Sequence, residues 1–165
     1  MEGAGPVYEG VVAVCRSRGY TVVDDAAAAA ALFVLANVQR IVPAAEFSAP
    51  SLGTLCFHPS LLPRHRGRDA VYWQVKKGDS ETGVTWFWVT DKVDAGPIAV
   101  QRRIAMPAGL GPRELYEAHL APLGVRAFAD VLQHMESGDI PRTAQDETLA
   151  TFEYARETLR KGVPS

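Results

Sequence analysis

The sequence has little of several features that would place a protein in a specialised class. Its two cysteines, Cys15 and Cys56, show no CxxC or Cys/His metal spacing, which argues against a disulfide framework and a zinc motif. Its net charge is −2, and its Lys and Arg residues form no long run, so no broad basic surface for nucleic acid is expected. The apolar stretch at residues 26–38 is too short to span a bilayer. No basic region followed by an apolar run opens the chain, and we expect a cytoplasmic location.

What the sequence does have is the composition of a globular protein. Hydrophobic residues make up 47% of it and charged residues 22%, a balance that disordered chains do not show. Its 165 residues are enough for one core of ordinary size. We therefore predict a single domain over residues 1–165.

The order of apolar runs predicts an α/β fold. The continuous apolar runs at 32–36 and 52–57 are typical of strands covered on both faces, and a short helix at 41–47 between them indicates a right-handed βαβ unit. Residues 1–6 are expected to be frayed, and Pro122 and Gly124 are expected to break or kink the last helix. Further strands are predicted at 20–23, 83–90 and 97–106, and further helices at 7–18, 26–31, 68–77 and 112–138.

The loop at 58–67, HPSLLPRHRG, directly follows the buried strand at 52–57. Ligand sites of open α/β sheets lie beyond the carboxyl ends of the strands, and a histidine there can donate to a developing oxyanion. His58 is a candidate for that role, and Asp94 could fix its orientation or accept a proton. Each also has a plain interpretation, since an isolated loop histidine often bonds its own turn and Asp-x-Gly is ordinary turn chemistry. His65 could contact solvent or substrate.

A resemblance favours the catalytic interpretation. The stretches LCFHPSLLPRHRG at 55–67 and GDSETGVTWFWVTDKVDAGPI at 78–98 resemble the folate-dependent formyltransferase family, and Asp94 lies at the family's usual distance after His58. The loop is most similar to that of the formyl-hydrolase domain of 10-formyltetrahydrofolate dehydrogenase. The long motif and the spaced aspartate together make coincidence a poor explanation.

The resemblance implies a Rossmann-like, mainly parallel sheet with flanking helices, 10-formyltetrahydrofolate as formyl donor and no metal. His58 and Asp94 would be catalytic, and the acceptor would be a small amine. Hydrolysis of the donor and a catalytically degenerate folate-binding protein are the alternatives. The residues expected to hold the folate are Arg40, Ile41, Val42, Thr90, Asp91, Lys92 and Val93.

The sequence departs from this family at two places. Cys56 occupies the position where most transferases carry an asparagine two residues before the histidine; the formyl-hydrolase domain also lacks that asparagine. Cys56 is interpreted as a small core residue, not a nucleophile. About 50 residues of the family's usual N-terminal portion are also expected to be missing. The missing strand and glycine-rich turn would leave a sheet edge that favours a homodimer, unless the short N-terminal segment folds over the gap.

Overall fold

A computed structural model describes residues 1–23, 30–38 and 40–154. The strands in these ranges are β1 (Glu2–Gly3), β2 (Leu32–Ala36), β3 (Gly53–His58), β4 (Arg66–Gly67), β5 (Glu81–Trp88), β6 (Ile98–Ala105) and β7 (Phe152–Glu153). The helices are α1 (Gly5–Ser17), α2 (Ala44–Phe47), α3 (Ala70–Lys77), α4 (Pro112–Leu115) and α5 (Ala121–Glu136), with a π-helical turn at Tyr116–Leu120 and a 3-10 turn at Glu147–Leu149.

The main sheet has the strand order β1-β2-β3-β5-β6. The pairs β1–β2 and β2–β3 are parallel, whereas β3–β5 and β5–β6 are antiparallel. A second, two-stranded parallel sheet joins β4 to β7. The predicted α/β fold with a Rossmann-like sheet and flanking helices is therefore confirmed, with the antiparallel pairs at one end of the main sheet.

The two faces of the central strands have different partners. Leu55 and Phe57 of β3 and Trp86 of β5 belong to the hydrophobic core that α1 and α5 cover. Because side chains alternate along a strand, Cys56 and His58 point to the opposite face. That opposite face carries the loop at 58–67, here called the signature loop, and the loop that joins β5 to β6. The alternation thus places the hydrophobic core on one face of the sheet and His58 on the other.

The last helix differs from its prediction in where it is irregular. α5 runs through Pro122 and Gly124, and the π-helical turn lies just before it. Pro122 lies just after the π-helical turn, and the backbone stays helical at Leu120 and Ala121, so the irregularity that accommodates its missing N–H lies in the turn before it. Gly124 lets the sheet approach, because a Cβ there would lie 2.5 Å from the ring of Phe57. Both residues therefore fit the helix, and neither breaks it.

Two other predicted elements turn out differently. Residues 20–23 form no strand, and the backbone carbonyl of Val23 accepts a bond of 2.6 Å from the N-terminal ammonium of Met1. Tyr20 and Val23 are exposed, so the β-branched run has no sheet to join. The predicted helix at 41–47 is shortened to α2 because Pro43 caps it. The alanine helix predicted at 26–31 lies mostly outside the described residues.

The N-terminal segment is ordered, and the prediction that it is frayed is wrong. Glu2 and Gly3 pair with Leu35 and Ala36 of β2, and α1 starts at Gly5. A strand, a glycine-containing turn and a helix thus do follow one another here, in a form too short to stand out as an apolar run. A Cβ on Gly3 would lie 1.9 Å from the carbonyl oxygen of Ala36, so only glycine allows this pairing. The segment folds over part of the expected gap, and the single-domain assignment stays a prediction.

Within the described ranges, no helix is both long enough and apolar enough to cross a membrane.

Candidate active site

His58 is the last residue of β3 and lies on the face opposite the core. Its side chain is buried, and Nε2–H donates to the backbone carbonyl of His65 at 2.7 Å. This bond fixes the ring orientation and assigns a proton to Nε2. Nδ1 is therefore the ring nitrogen that faces the neighbouring loop.

Asp94 lies on that neighbouring loop, between β5 and β6. Its Oδ2 is 3.6 Å from Nδ1 of His58 and accepts the backbone N–H of Gly67 at 2.7 Å. Its φ of 50° is in the left-handed region, where a non-glycine residue is uncommon. The carboxylate thus touches both ends of the signature loop, at His58 and at Gly67. The structure brings the two predicted catalytic residues together.

The loop that carries Asp94 is closed at its base. Trp88 donates its backbone N–H to the carbonyl of Pro97 at 2.8 Å. Gly96 is buried, and a Cβ on it would lie 1.7 Å from the carbonyl oxygen of Trp88. Gly96 is therefore a tightly packed position at the base of the loop.

A buried threonine holds the first half of the signature loop. The hydroxyl of Thr85 accepts from the backbone N–H of Leu62 at 3.2 Å and donates to the carbonyl of Ser60 at 2.7 Å. Gln101 donates to the same hydroxyl and to the carbonyl of Leu62, each at 2.9 Å. These bonds fix the loop to β5 and β6 just behind His58.

The second half of the loop is held by a cluster of charges around His65. His65 is 3% exposed, so it contacts neither bulk solvent nor an open site as the sequence suggested. Its Nδ1 lies 2.9 Å from a Glu153 oxygen and its Nε2 lies 2.8 Å from an Asp79 oxygen, so both ring nitrogens face carboxyl groups. Lys77 also contacts Glu153, at 2.5 Å. The cluster fixes the residue whose carbonyl orients His58.

Cys56 shares the strand face of His58. Its neighbours across the sheet are Leu35 and Phe87. Burial raises the pKa of the Cys56 thiol, and the Asp94 carboxylate raises it further. The thiol is therefore protonated at neutral pH and is a poor nucleophile. Cys56 is half-buried near the carboxylate of Asp94, which is closer to the candidate site than the core position that the sequence indicated.

The segment after β2 contains three of the residues expected to hold the folate. The guanidinium of Arg40 lies between the carboxylates of Glu2 and Glu46, which raise its pKa. Ile41 is 87% exposed, and Val42 is partly exposed. Because β2 and β3 are parallel, this segment and His58 follow strand ends at the same edge of the sheet.

The other expected folate residues precede Asp94 in its loop. The side chain of Thr90 contacts the backbone of Lys92 at 3.4 Å, in a turn-like arrangement. Asp91 and Lys92 are exposed, as is Val93 at 51%. These side chains are free to meet a ligand, and the structure does not itself assign them to one.

The sequence did not reveal which residues outside the β5–β6 loop bond Asp94. The sequence linked neither Gly67 nor Gln145 to Asp94, although Gly67 bonds its carboxylate and Gln145 bonds its backbone carbonyl. No periodicity or spacing marks Gln145, because its contact with Asp94 spans 51 positions and depends on the path of the segment after α5. Among the described residues, no group of three His, Cys, Asp or Glu side chains is arranged to hold a metal ion.

Known proteins are similar in sequence to this chain. The chain is 37% identical over 142 residues to mitochondrial 10-formyltetrahydrofolate dehydrogenase of Mus musculus, covering 84% of this chain and 15% of that protein. It is 34% identical over 121 residues to methionyl-tRNA formyltransferase of Moorella thermoacetica, covering 73% of this chain and 39% of that protein. The chain thus spans well under half the length of these relatives.

A solved structure shares the fold. The crystal structure of HypX from Aquifex aeolicus in complex with tetrahydrofolic acid matches with a TM-score of 0.79 and 22% identity, over 93% of this chain and 28% of that one. Residues 16–132 match the formyl transferase family. This range covers most of the chain and includes both His58 and Asp94, so the chain belongs to the formyl transferase family.

Proposed function

We propose that this chain takes the formyl group of 10-formyltetrahydrofolate and transfers it to a small amine through a tetrahedral intermediate. The observation that carries the proposal is the pairing of His58 Nδ1 with Asp94 Oδ2 at 3.6 Å. The names of its relatives support the donor, since one is a 10-formyltetrahydrofolate dehydrogenase and another is a formyltransferase.

His58 would stabilise the oxyanion. Its Nε2–H is committed to the carbonyl of His65, so Nδ1 is the nitrogen that can face the formyl oxygen. When the ring is protonated, Nδ1–H donates to that oxygen as negative charge develops on it. The carboxylate of Asp94 lies 3.6 Å from the same nitrogen and helps to hold the ring in place. Such a donor is worth about 3–4 kcal/mol of barrier.

Asp94 would take the proton of the nucleophile. Its Oδ2 faces His58 and Gly67, and among the described residues no hydrogen bond reaches Oδ1. That oxygen is the one available to the attacking amine, directly or through a water. As the new C–N bond forms, the amine proton passes to the carboxylate. The bond from the formyl carbon to the folate nitrogen then breaks, and that nitrogen is protonated as tetrahydrofolate leaves.

The folate would lie between the segment after β2 and the turn before Asp94. Ile41, Val42 and Val93 offer apolar side chains, and the backbone around Thr90 and Lys92 offers hydrogen-bonding groups. Arg40 is held by two carboxylates, so we assign it the task of fixing this segment to β1 and α2. Asp91 would lie at the solvent side of the turn.

Hydrolysis of the donor is the second candidate, and Cys56 favours it. An amide at this position could donate a strong hydrogen bond to the formyl oxygen, whereas a thiol donates only weakly. The name of one relative, a 10-formyltetrahydrofolate dehydrogenase, supports the same formyl folate as the substrate of this reaction. In this alternative Asp94 activates a water in place of an amine.

A cytoplasmic homodimer completes the proposal. β1 pairs only with Leu35 and Ala36, the last two residues of β2. Among the described residues, no strand pairs with the same edge of β2 at residues 32–34. Such an edge favours pairing with a second chain. The free cysteines agree with a reducing compartment, and one relative is a cytosolic protein of Homo sapiens. Measuring the molar mass in solution by light scattering would test the dimer.

Turnover of 10-formyltetrahydrofolate, with and without candidate amines, tests the proposal. Release of tetrahydrofolate only when an amine is present is the expected result. Release without any amine would instead establish the hydrolase. Folate binding with no turnover in either condition would overturn the enzymatic proposal and leave a degenerate folate-binding protein.

A further inference from the structure

The side chain of Gln145 holds the backbone on both sides of Asp94. Its amide nitrogen donates to the carbonyl of Asp94 at 2.9 Å and to the carbonyl of Gly96 at 2.8 Å. A single amide group therefore spans the turn that presents the carboxylate. Gln145 touches neither His58 nor the carboxylate itself, so its effect on Asp94 passes through the main chain.

Asp94 needs such an external hold. Its φ of 50° is a left-handed conformation that L-residues rarely adopt unless their surroundings impose it. On the other side of the turn Gly96 packs against the carbonyl of Trp88. With its two carbonyls bonded to one amide, the turn keeps the carboxylate pointed at His58. A shift of about 1 Å at a reacting group can cost roughly a hundredfold in rate.

Gln145 is itself fixed by a buried arginine. Arg66 donates to the amide oxygen of Gln145 from Nη2 at 2.7 Å and from Nε at 3.2 Å. Glu147 binds the other side of the same guanidinium at 2.6 and 2.9 Å. Because the arginine is a donor only, it turns the amide oxygen toward itself and the amide nitrogen toward the two carbonyls.

The two residues of β4 thus hold Asp94 in two ways. Gly67 donates its backbone N–H to the carboxylate, and Arg66 holds the glutamine that binds the main chain. β4 pairs with β7, which brings the segment after α5 (residues 137–154, here called the tail) against the signature loop. The tail is in this way a structural part of the site.

We propose that Gln145 is a positioning residue for Asp94, held in its working orientation by Arg66 and Glu147. The inference rests on the proposed function, because it assigns Gln145 a part in presenting the carboxylate that accepts the nucleophile's proton. Gln145 acts through Asp94 and makes no contact of its own with the reacting atoms.

The kinetic test compares two substitutions at the same position. Gln145→Leu removes all the bonds of the amide, whereas Gln145→Glu keeps an acceptor for Arg66 and replaces the donor to the two carbonyls with a carboxylate oxygen that repels them. Both should lower kcat by about 10- to 100-fold and leave the KM for 10-formyltetrahydrofolate nearly unchanged. On an Asp94→Asn background, neither should lower kcat further, because the effect passes through Asp94.

Asp146→Ala is the matched control. Asp146 caps the 3-10 turn next to Gln145, through a bond to the N–H of Thr148 at 3.0 Å, and has no contact with Asp94. Its loss loosens the same segment, and kcat should stay near the wild-type value. A normal kcat in Gln145→Glu, or an equal loss in Asp146→Ala, would overturn the proposal in favour of general support by the tail.

A second readout does not depend on turnover. The Gly67 amide reports on the Asp94 carboxylate that it bonds, so its hydrogen exchange should speed up about tenfold in Asp94→Ala. Gln145→Leu and Gln145→Glu should each reproduce most of that increase, and Asp146→Ala should not. If the wild-type protein turns over no folate, the proposed function fails while this arm still decides the inference. Unchanged exchange at Gly67 in both Gln145 variants would refute it.

Discussion

The two sides of the candidate site are built differently. The signature loop around His58 is largely buried and is bonded by Thr85, by the carboxyl groups around His65 and by Asp94. The segments proposed to hold the folate are open: Ile41 is 87% exposed and Val93 is 51% exposed. The proposed catalytic histidine is thus rigidly supported, whereas the proposed folate surface is exposed and apolar.

This difference separates two kinds of substitution effect. Changes on the loop side should lower kcat or the free energy of unfolding, because they disturb a fixed arrangement. Changes on the folate side should raise KM and leave stability alone, because the side chains have few partners in the free protein. The predictions below use this division, and each could contradict it.

His58→Asn should have the largest effect among the loop-side changes. It removes the donor to the formyl oxygen and the bond to the carbonyl of His65. We expect kcat to fall by about 10²- to 10³-fold, with a small change in KM for the folate. Steady-state kinetics with the amine or water as acceptor measures it. His134→Asn, at an exposed histidine on α5, should change neither constant.

Thr85→Val should lower stability on the same side. The hydroxyl is fully buried and shared by the N–H of Leu62, the carbonyl of Ser60 and Gln101, so its loss leaves buried groups unpaired. A fall of about 1–3 kcal/mol in the free energy of unfolding is expected. Urea titration measures it. Thr143→Val, the same change at an exposed threonine, should stay within about 0.5 kcal/mol of the wild type.

Ile41→Ser tests the folate side. We expect the KM for 10-formyltetrahydrofolate to rise by roughly tenfold, because the proposed folate site would bury this apolar side chain against the ligand. The free energy of unfolding should change by less than about 0.5 kcal/mol, since the side chain is 87% exposed. An unchanged KM would place the folate elsewhere, and a large loss of stability would contradict the division between the two sides.

Alkylation of Cys56 gives the smallest effect. Its raised pKa leaves little thiolate, so the rate should keep rising with pH through about pH 9 without a plateau. Asp94→Asn removes a negative charge that raises this pKa, so the rate profile should shift toward lower pH. Mass spectrometry resolves Cys56 from Cys15, whose pKa burial also raises and which serves as the internal control.

Much of this arrangement could be predicted from the sequence. The apolar runs marked β2, β3 and β5 because buried strands are continuous in hydrophobicity. The loop motif and the spacing to Asp94 indicated that His58 and Asp94 meet, and the structure places them 3.6 Å apart. Their catalytic roles, and those of the folate residues, stay predictions.

What the sequence could not indicate depends on long-range pairing. β1 has two residues, one of them charged, and becomes a strand only because the edge of β2 accepts it. His65 is in a polar loop by sequence, but it is buried because Asp79 and Glu153, far apart in the chain, converge on it. Gln145 has no local pattern at all. The periodicity of a single sequence indicates local structure along the chain. It does not indicate contacts between residues that are far apart in the sequence.

The turnover and folate affinity of Asp94→Asn test the central claim most directly. Asparagine keeps the size of the side chain and an acceptor for the Gly67 amide but cannot take the nucleophile's proton. The account predicts that turnover of 10-formyltetrahydrofolate falls by about 10²- to 10⁴-fold while the Kd for the folate stays within a few fold, with Asp139→Asn on the distant surface unaffected. Turnover near the wild-type rate in Asp94→Asn would contradict the claim that His58 and Asp94 carry the reaction.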